Sequence, residues 1–127
     1  MELVSIVIVV ALLEYMFISF QVGAGRTKYN VPAPAVTGHP TFERLYRVQL
    51  NTLEQLIVFL PAIWLFAMWV NAPVAAGLGL VFIVGRALYF TGYVKDPAKR
   101  GPGFGIGFVA NAILVLGALI GATLKLF

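Results

Sequence analysis

Arg47, Asn51 and Glu54 lie four and three residues apart in the run FERLYRVQLNTLEQL, Phe42 to Leu56. That spacing puts all three on one stripe of an α-helix, with Glu43 one turn before Arg47 and Gln55 one turn beyond Asn51. Their chemistry is mixed. Arg47 offers a planar fork for a carboxylate, Asn51 and Gln49 each offer a donor and an acceptor, and Glu54 accepts from an ammonium group. Such a set suits a zwitterionic, peptide-like ligand; the plainer alternative is that Glu43, Arg47 and Glu54 pair along the helix and hold a bundle together. A second cluster stands in RALYFTGYVKDPAKR, where Tyr89 and Tyr93 share a helix face and Arg100 follows in the turn beyond. A cation in that place favours the thiolate form of a thiol bound beside it. The competing readings are an interfacial aromatic belt for the tyrosines and a solvated charge for Arg100.

The elements that must position these groups are membrane helices. Only 11% of the 127 residues are charged, 61% are hydrophobic, and the mean hydropathy is +0.94, whereas soluble domains carry about 25% charged residues. Four apolar segments, about 3–22, 42–70, 72–94 and 104–126, each approach the ~20 residues needed to cross a hydrocarbon core. The expected architecture is therefore an all-α integral membrane bundle of four transmembrane helices, a single domain over 1–127. The first segment lacks the basic leader of a signal peptide and reads as a span. The stretch from Gly23 to Thr41, rich in Pro and Gly, is expected to be loop. Asn71 to Pro73 reads as a tight turn, Lys95 to Gly103 as a short polar one, and Pro61 as a mid-span kink. Small-xxx-small spacing in GFGIG and GALIG of the last span suits close helix packing, or reflects only the abundance of glycine in membrane helices.

Charge distribution sets the orientation. Arg26, Lys28, Arg44, Arg47, Lys95, Lys99 and Arg100 belong to the end bearing the first and third loops, against Lys125 at the other. The positive-inside rule places those two loops in the cytoplasm. A formal charge of +4 so thinly spread, with no basic run interleaved with aromatics, argues against a nucleic-acid partner. There is no cysteine, so any sulfur chemistry needs a thiol brought by a ligand, and no metal site is expected from one isolated histidine, His39. Glu14 and Arg86 are charges inside spans, each needing a polar partner; their similar depth suggests that they pair, within or between subunits.

The stretch FERLYRVQLNTLEQL, with TGHPTFER before it and LYFTGY closing the third span, resembles the signature of the MAPEG family, the membrane-associated proteins of eicosanoid and glutathione metabolism. The resemblance covers nearly the whole chain and points to the branch holding leukotriene C synthase, five-lipoxygenase-activating protein and microsomal glutathione transferases. It implies a left-handed four-helix bundle assembled as a homotrimer, with glutathione as co-substrate between neighbouring subunits on the cytoplasmic side. It further implies that Arg47, Asn51, Glu54, Tyr89 and Tyr93 bind glutathione, that Arg26 and Gln49 reach it from the adjacent subunit, and that Arg100 activates its thiol. Two positions depart from the pattern: Gln55 stands where related enzymes have a tyrosine that contacts glutathione, so that contact is changed or lost, and Thr27 stands where leukotriene C synthase has a second arginine.

What the resemblance implies is a membrane glutathione transferase, with peroxidase activity open to the same thiolate, acting on a lipophilic small molecule or lipid and set in a bacterial inner membrane. Two other classes compete. One is a non-catalytic lipid-binding or scaffold protein of the same fold; the other is a small multidrug transporter using Glu14.

Overall fold

A computed structural model describes residues 1–127. It contains four long helices, α1 (Glu2–Lys28), α2 (Pro40–Trp69), α3 (Ala72–Lys95) and α4 (Gly101–Leu126), with a 3₁₀ turn at Pro97–Arg100 leading into the last. At 1.5 Å per residue even α3 spans roughly 36 Å, enough to cross a bilayer core of about 30 Å. All four are long and apolar enough to do so.

The helix starts follow from capping chemistry. His39 accepts from the Thr41 N–H at Nδ1, 3.1 Å away, and Pro40 supplies a first helical residue whose missing donor costs nothing. Asn71 Oδ1 accepts from the Val74 N–H at 2.9 Å to begin α3. Asp96 Oδ1 does the same for Ala98 at 3.0 Å, opening the 3₁₀ turn. α2 runs unbroken through Pro61.

Two expectations are corrected. Gly23–Lys28 is not loop but the last turns of α1, and the connector shortens to 29–39. Hydropathy marks where the lipid-like surface stops, whereas the backbone ladder continues until something breaks it. Here that is Asn30, in the left-handed region at φ 56°, with Pro32 following. Arg26 and Lys28 in the last turn of α1 also favour its negative dipole end. Likewise Lys95–Gly103 is not a plain turn, because the 3₁₀ segment and the first turn of α4 occupy most of it.

The core is a column of apolar contacts among all four helices, including Val7, Phe59, Ile63, Phe82 and Leu114. The Phe59 and Phe82 rings stack with centroids 4.1 Å apart. Outside this column large side chains such as Phe20, Ile57 and Leu119 point outward, each more than 60% exposed. Lipid tails solvate that surface as readily as a protein interior does. α3 and α4 approach most closely where Gly85 meets the backbone of Gly103 and Gly107; a Cβ on Gly103 would meet the Tyr89 backbone nitrogen, with Tyr89 Cα at 2.7 Å. This crossing brings the head of α4 against the end of α3.

Candidate functional site

The polar residues of α2 touch every other helix. Gln49 Nε2 donates to Ser19 Oγ on α1 at 3.1 Å. Arg86 of α3 is fully buried, and its Nη2 donates to Asn51 Oδ1 and to Thr52 Oγ1, both at 2.8 Å. The Thr52 hydroxyl in turn donates to the Val48 carbonyl at 2.7 Å. Asn111 of α4 donates from Nδ2 to the Gln55 backbone oxygen at 3.4 Å and to Gln55 Oε1 at 3.3 Å. Nearer the end of the bundle, Arg44 Nη1 donates to the Val94 and Lys95 carbonyls at 3.3 and 3.1 Å, satisfying acceptors that the end of α3 leaves open.

Arg86 has its partner here, and it is not Glu14. The chain's ion pairs are Met1–Glu2 and Arg47–Glu54, so the expected Glu14–Arg86 pair does not form within the subunit. Two neutral oxygens and the Tyr89 ring, with the guanidinium carbon 4.3 Å from its centroid, take that place. An arginine can be accommodated by dipoles and a π-face as well as by a carboxylate.

Between α2, α3 and the head of α4 lies a cleft of about 430 Å³ lined by Arg47, Asn51, Tyr89, Tyr93, Arg100, Gly101 and Phe104. Five of the eight residues singled out in the sequence therefore meet in one place. The Tyr89 and Tyr93 rings stack at 5.5 Å and form one wall. Arg100 is exposed at the mouth, with one Nη1 hydrogen bond to the Pro97 carbonyl at 3.1 Å and the rest of its fork available. Two guanidiniums and no carboxylate line the cleft, so its field favours an anion. Asn51 has its oxygen engaged by Arg86 and presents only its Nδ2 donors for a ligand.

The other three residues lie outside this cleft. Glu54 stands 3.9 Å from Arg47, a single loose contact between half-exposed side chains. Gln49 is turned to Ser19. Arg26, in the last turn of α1, donates from Nη1 to Val31 O at 3.2 Å and Ala35 O at 2.7 Å in the first loop, over the Phe42 ring at 4.9 Å. Reasoning from sequence missed Arg44, Thr52 and Asn111. The signal available was the same for all three: a polar residue inside or at the edge of an apolar span, which must find a partner.

Beyond the cleft an apolar furrow continues along α2 and α4. Its first part, about 370 Å³, includes Gln55, Val58, Phe108, Asn111 and Val115. Its second, about 450 Å³, includes Val58, Pro61, Leu65, Val115 and Leu119. A polar, cationic cleft and an apolar furrow thus follow one another along α2 and α4.

The chain matches the MAPEG family over residues 4–120. It belongs to the MAPEG family. A 46% identical relative over 116 residues is an uncharacterized protein of the cyanobacterium Synechocystis sp., the match covering 91% of this chain and 85% of that one. Human microsomal glutathione S-transferase 2 is 41% identical over 118 residues, covering 92% and 80% respectively. Bovine leukotriene C4 synthase is 37% identical over 98 residues, covering 77% and 65%. As a MAPEG member with four apolar spans, the protein is a multi-pass integral membrane protein.

Proposed function

We propose that this protein is a glutathione transferase that joins the glutathione thiolate to lipophilic electrophiles drawn from the bilayer. The observation that carries the reading is the meeting of Arg47, Asn51, Tyr89, Tyr93 and Arg100 in one cleft at the head of an apolar furrow. Relatives named as glutathione transferases support it.

In this reading Arg47 holds a glutathione carboxylate, Asn51 donates to a carbonyl or carboxylate oxygen, and the tyrosine pair supplies hydroxyl donors and a flat wall. Glu54 faces the ligand's ammonium group. Arg26 and Gln49 complete the site from the adjacent subunit of a homotrimer. The end of the bundle bearing the first and third loops faces the cytoplasm of a bacterial inner membrane, the side from which glutathione arrives. Arg100 lies beside the sulfur. The thiol proton passes to water, and the guanidinium stabilises the resulting thiolate by charge. Sulfur then attacks the electrophilic carbon, a C–S bond forms, and the leaving group or π-electron pair departs. Holding the two reactants together lowers the barrier further. A lipid hydroperoxide in the same place accepts the sulfur at oxygen, breaking its O–O bond and releasing the alcohol; a second glutathione then yields the disulfide and water.

The test is an ultraviolet titration of the purified protein with glutathione beside the Arg100→Ala variant. Thiolate absorbance at neutral pH, lost in Arg100→Ala while calorimetric binding persists, is the expected result. Binding without thiolate in the unaltered protein would overturn the transferase reading and favour a non-catalytic lipid-binding role.

A further inference from the structure

The furrow between α2 and α4 is apolar save for one pair of amides, Gln55 and Asn111. Their orientation is fixed by the backbone. Asn111 faces the Gln55 main-chain carbonyl at 3.4 Å, which can only accept, so the atom of Asn111 turned toward it is the nitrogen. The same nitrogen lies 3.3 Å from the Gln55 side chain and requires an acceptor there as well, which makes the near atom Oε1. The two N–H donors of Gln55 Nε2 are therefore its free end, with no hydrogen bond to the protein. Asn111 is 4% exposed and its Oδ1 has no partner, so its two contacts to Gln55 are made at the cost of an unsatisfied acceptor.

The location is informative. Gln55 lies one turn beyond Asn51 on α2, about 6 Å along the axis, and Phe108 one turn beyond Phe104 on α4, their rings stacked at 6.0 Å. Asn51 and Phe104 line the cationic cleft; Gln55 and Phe108 line the furrow. The Gln55 donors thus stand one helical turn deeper than the cleft, along the side of α2 and α4 from which the transferase reading brings the lipophile.

Resting on that reading, we infer that Gln55 is a specificity determinant that selects α,β-unsaturated carbonyl lipophiles, with Asn111 as its positioning residue. When the thiolate adds to the β-carbon, the C–S bond forms and the C=C electron pair moves through the carbonyl to oxygen. The Gln55 N–H groups donate to that developing enolate oxygen, and water then protonates the α-carbon. An amide is not an acid, so it stabilises charge on an oxygen without delivering a proton. That suits an enolate and does not suit the alkoxide expelled from a hydroperoxide, which needs one.

The experiment compares the full-length protein with Gln55→Met and Asn111→Leu, using glutathione with trans-2-nonenal, with benzyl chloride, and with a long-chain alkyl hydroperoxide. Benzyl chloride has no oxygen to receive the amide. Gln55→Met should lower kcat/KM for nonenal by about 100- to 1000-fold, the range for removing one donor to a developing oxyanion. Benzyl chloride turnover and calorimetric glutathione affinity should stay within about twofold, the scatter of a change that removes no interaction with either. Asn111→Leu should shift the nonenal-to-benzyl chloride ratio the same way by a smaller factor. Parallel loss with all acceptors, no change with nonenal, or selective loss of hydroperoxide turnover would each overturn the inference while leaving the transferase reading intact. No turnover of any acceptor by the unaltered protein would overturn both.

Discussion

Gly103→Ala isolates the contact that brings Arg100 to the cleft. The added methyl would meet the Tyr89 backbone nitrogen, with Tyr89 Cα at 2.7 Å and the Leu88 carbonyl carbon at 2.8 Å, where ordinary contact begins at 3.4 Å. These are backbone atoms of α3 that no rotamer change can move aside. Relief therefore requires α4 to retreat by about 0.7 Å or more, the gap between 2.7 and 3.4 Å, in an interior packed too densely to absorb it. Overpacking of this kind costs about 1–3 kcal/mol, and a clash with backbone belongs at the top of that range. The functional effect is larger than the stability effect. Arg100 precedes Gly103 by less than one turn, and a displacement near 1 Å at a reacting centre can cost about 100-fold in rate. Gly105→Ala is the control, because its methyl would meet nothing within 4 Å. The assays are thermal unfolding in detergent and glutathione thiolate absorbance. Gly103→Ala should lower the unfolding midpoint and abolish most of the thiolate signal, while Gly105→Ala leaves both near the original. Equal behaviour of the two variants would refute the claim that the α3–α4 crossing sets the position of Arg100.

Arg47→Ala should weaken glutathione binding by about tenfold or more, since it removes a charge-assisted contact to a carboxylate; its loose 3.9 Å contact with Glu54 makes little change in unfolding midpoint expected. Calorimetry on the variant decides this, and unchanged affinity would remove Arg47 from the site. Arg86→Met should leave the midpoint within a few degrees, because losing two hydrogen bonds is offset by no longer burying a charge. Its glutathione dissociation constant should nonetheless rise about tenfold, since Asn51 loses the donor that orients its amide, a loss of about 1.5 kcal/mol. Destabilisation without a change in affinity would assign Arg86 a purely structural role.

The spans were legible because hydropathy reports lipid contact directly. The helix boundaries were less so: Gly23–Lys28 carries glycines and charge, yet its backbone bonds continue until Asn30 and Pro32. Of the five residues that meet in the cleft, Arg47 and Asn51 were marked by type and spacing for a polar ligand and Arg100 for a bound thiol, whereas a ligand role for Tyr89 and Tyr93 was implied only by the family resemblance. Arg26 and Gln49 do not reach it within one subunit, and nothing in their local sequence distinguishes an own-subunit from a neighbouring ligand. Within the subunit Arg86 meets Asn51 and Thr52 rather than Glu14, because depth along a helix gives height but not azimuth. Asn51 and Thr52, assigned to a ligand or overlooked, sit at the same height on the facing side of α2. His39 illustrates the converse: apparently idle in sequence, it caps α2 and stacks on Tyr29 with ring centroids 4.3 Å apart.

A helix that is apolar on most sides has little reason, in oil, to prefer one rotation about its axis to another. Lipid is nearly as good a neighbour as leucine. The contacts from α2 to Ser19, Arg86 and Asn111 work as indexing pins against this freedom, one for each of the other helices, and Arg44 adds a fourth at the end of α3. A roll of about 20° by any helix would carry a side-chain tip, about 5–6 Å from the axis, by about 2 Å and withdraw its pin. What these bonds contribute is therefore less the strength of the bundle than the uniqueness of its angular setting, without which the residues of the cleft would share a depth but not a direction.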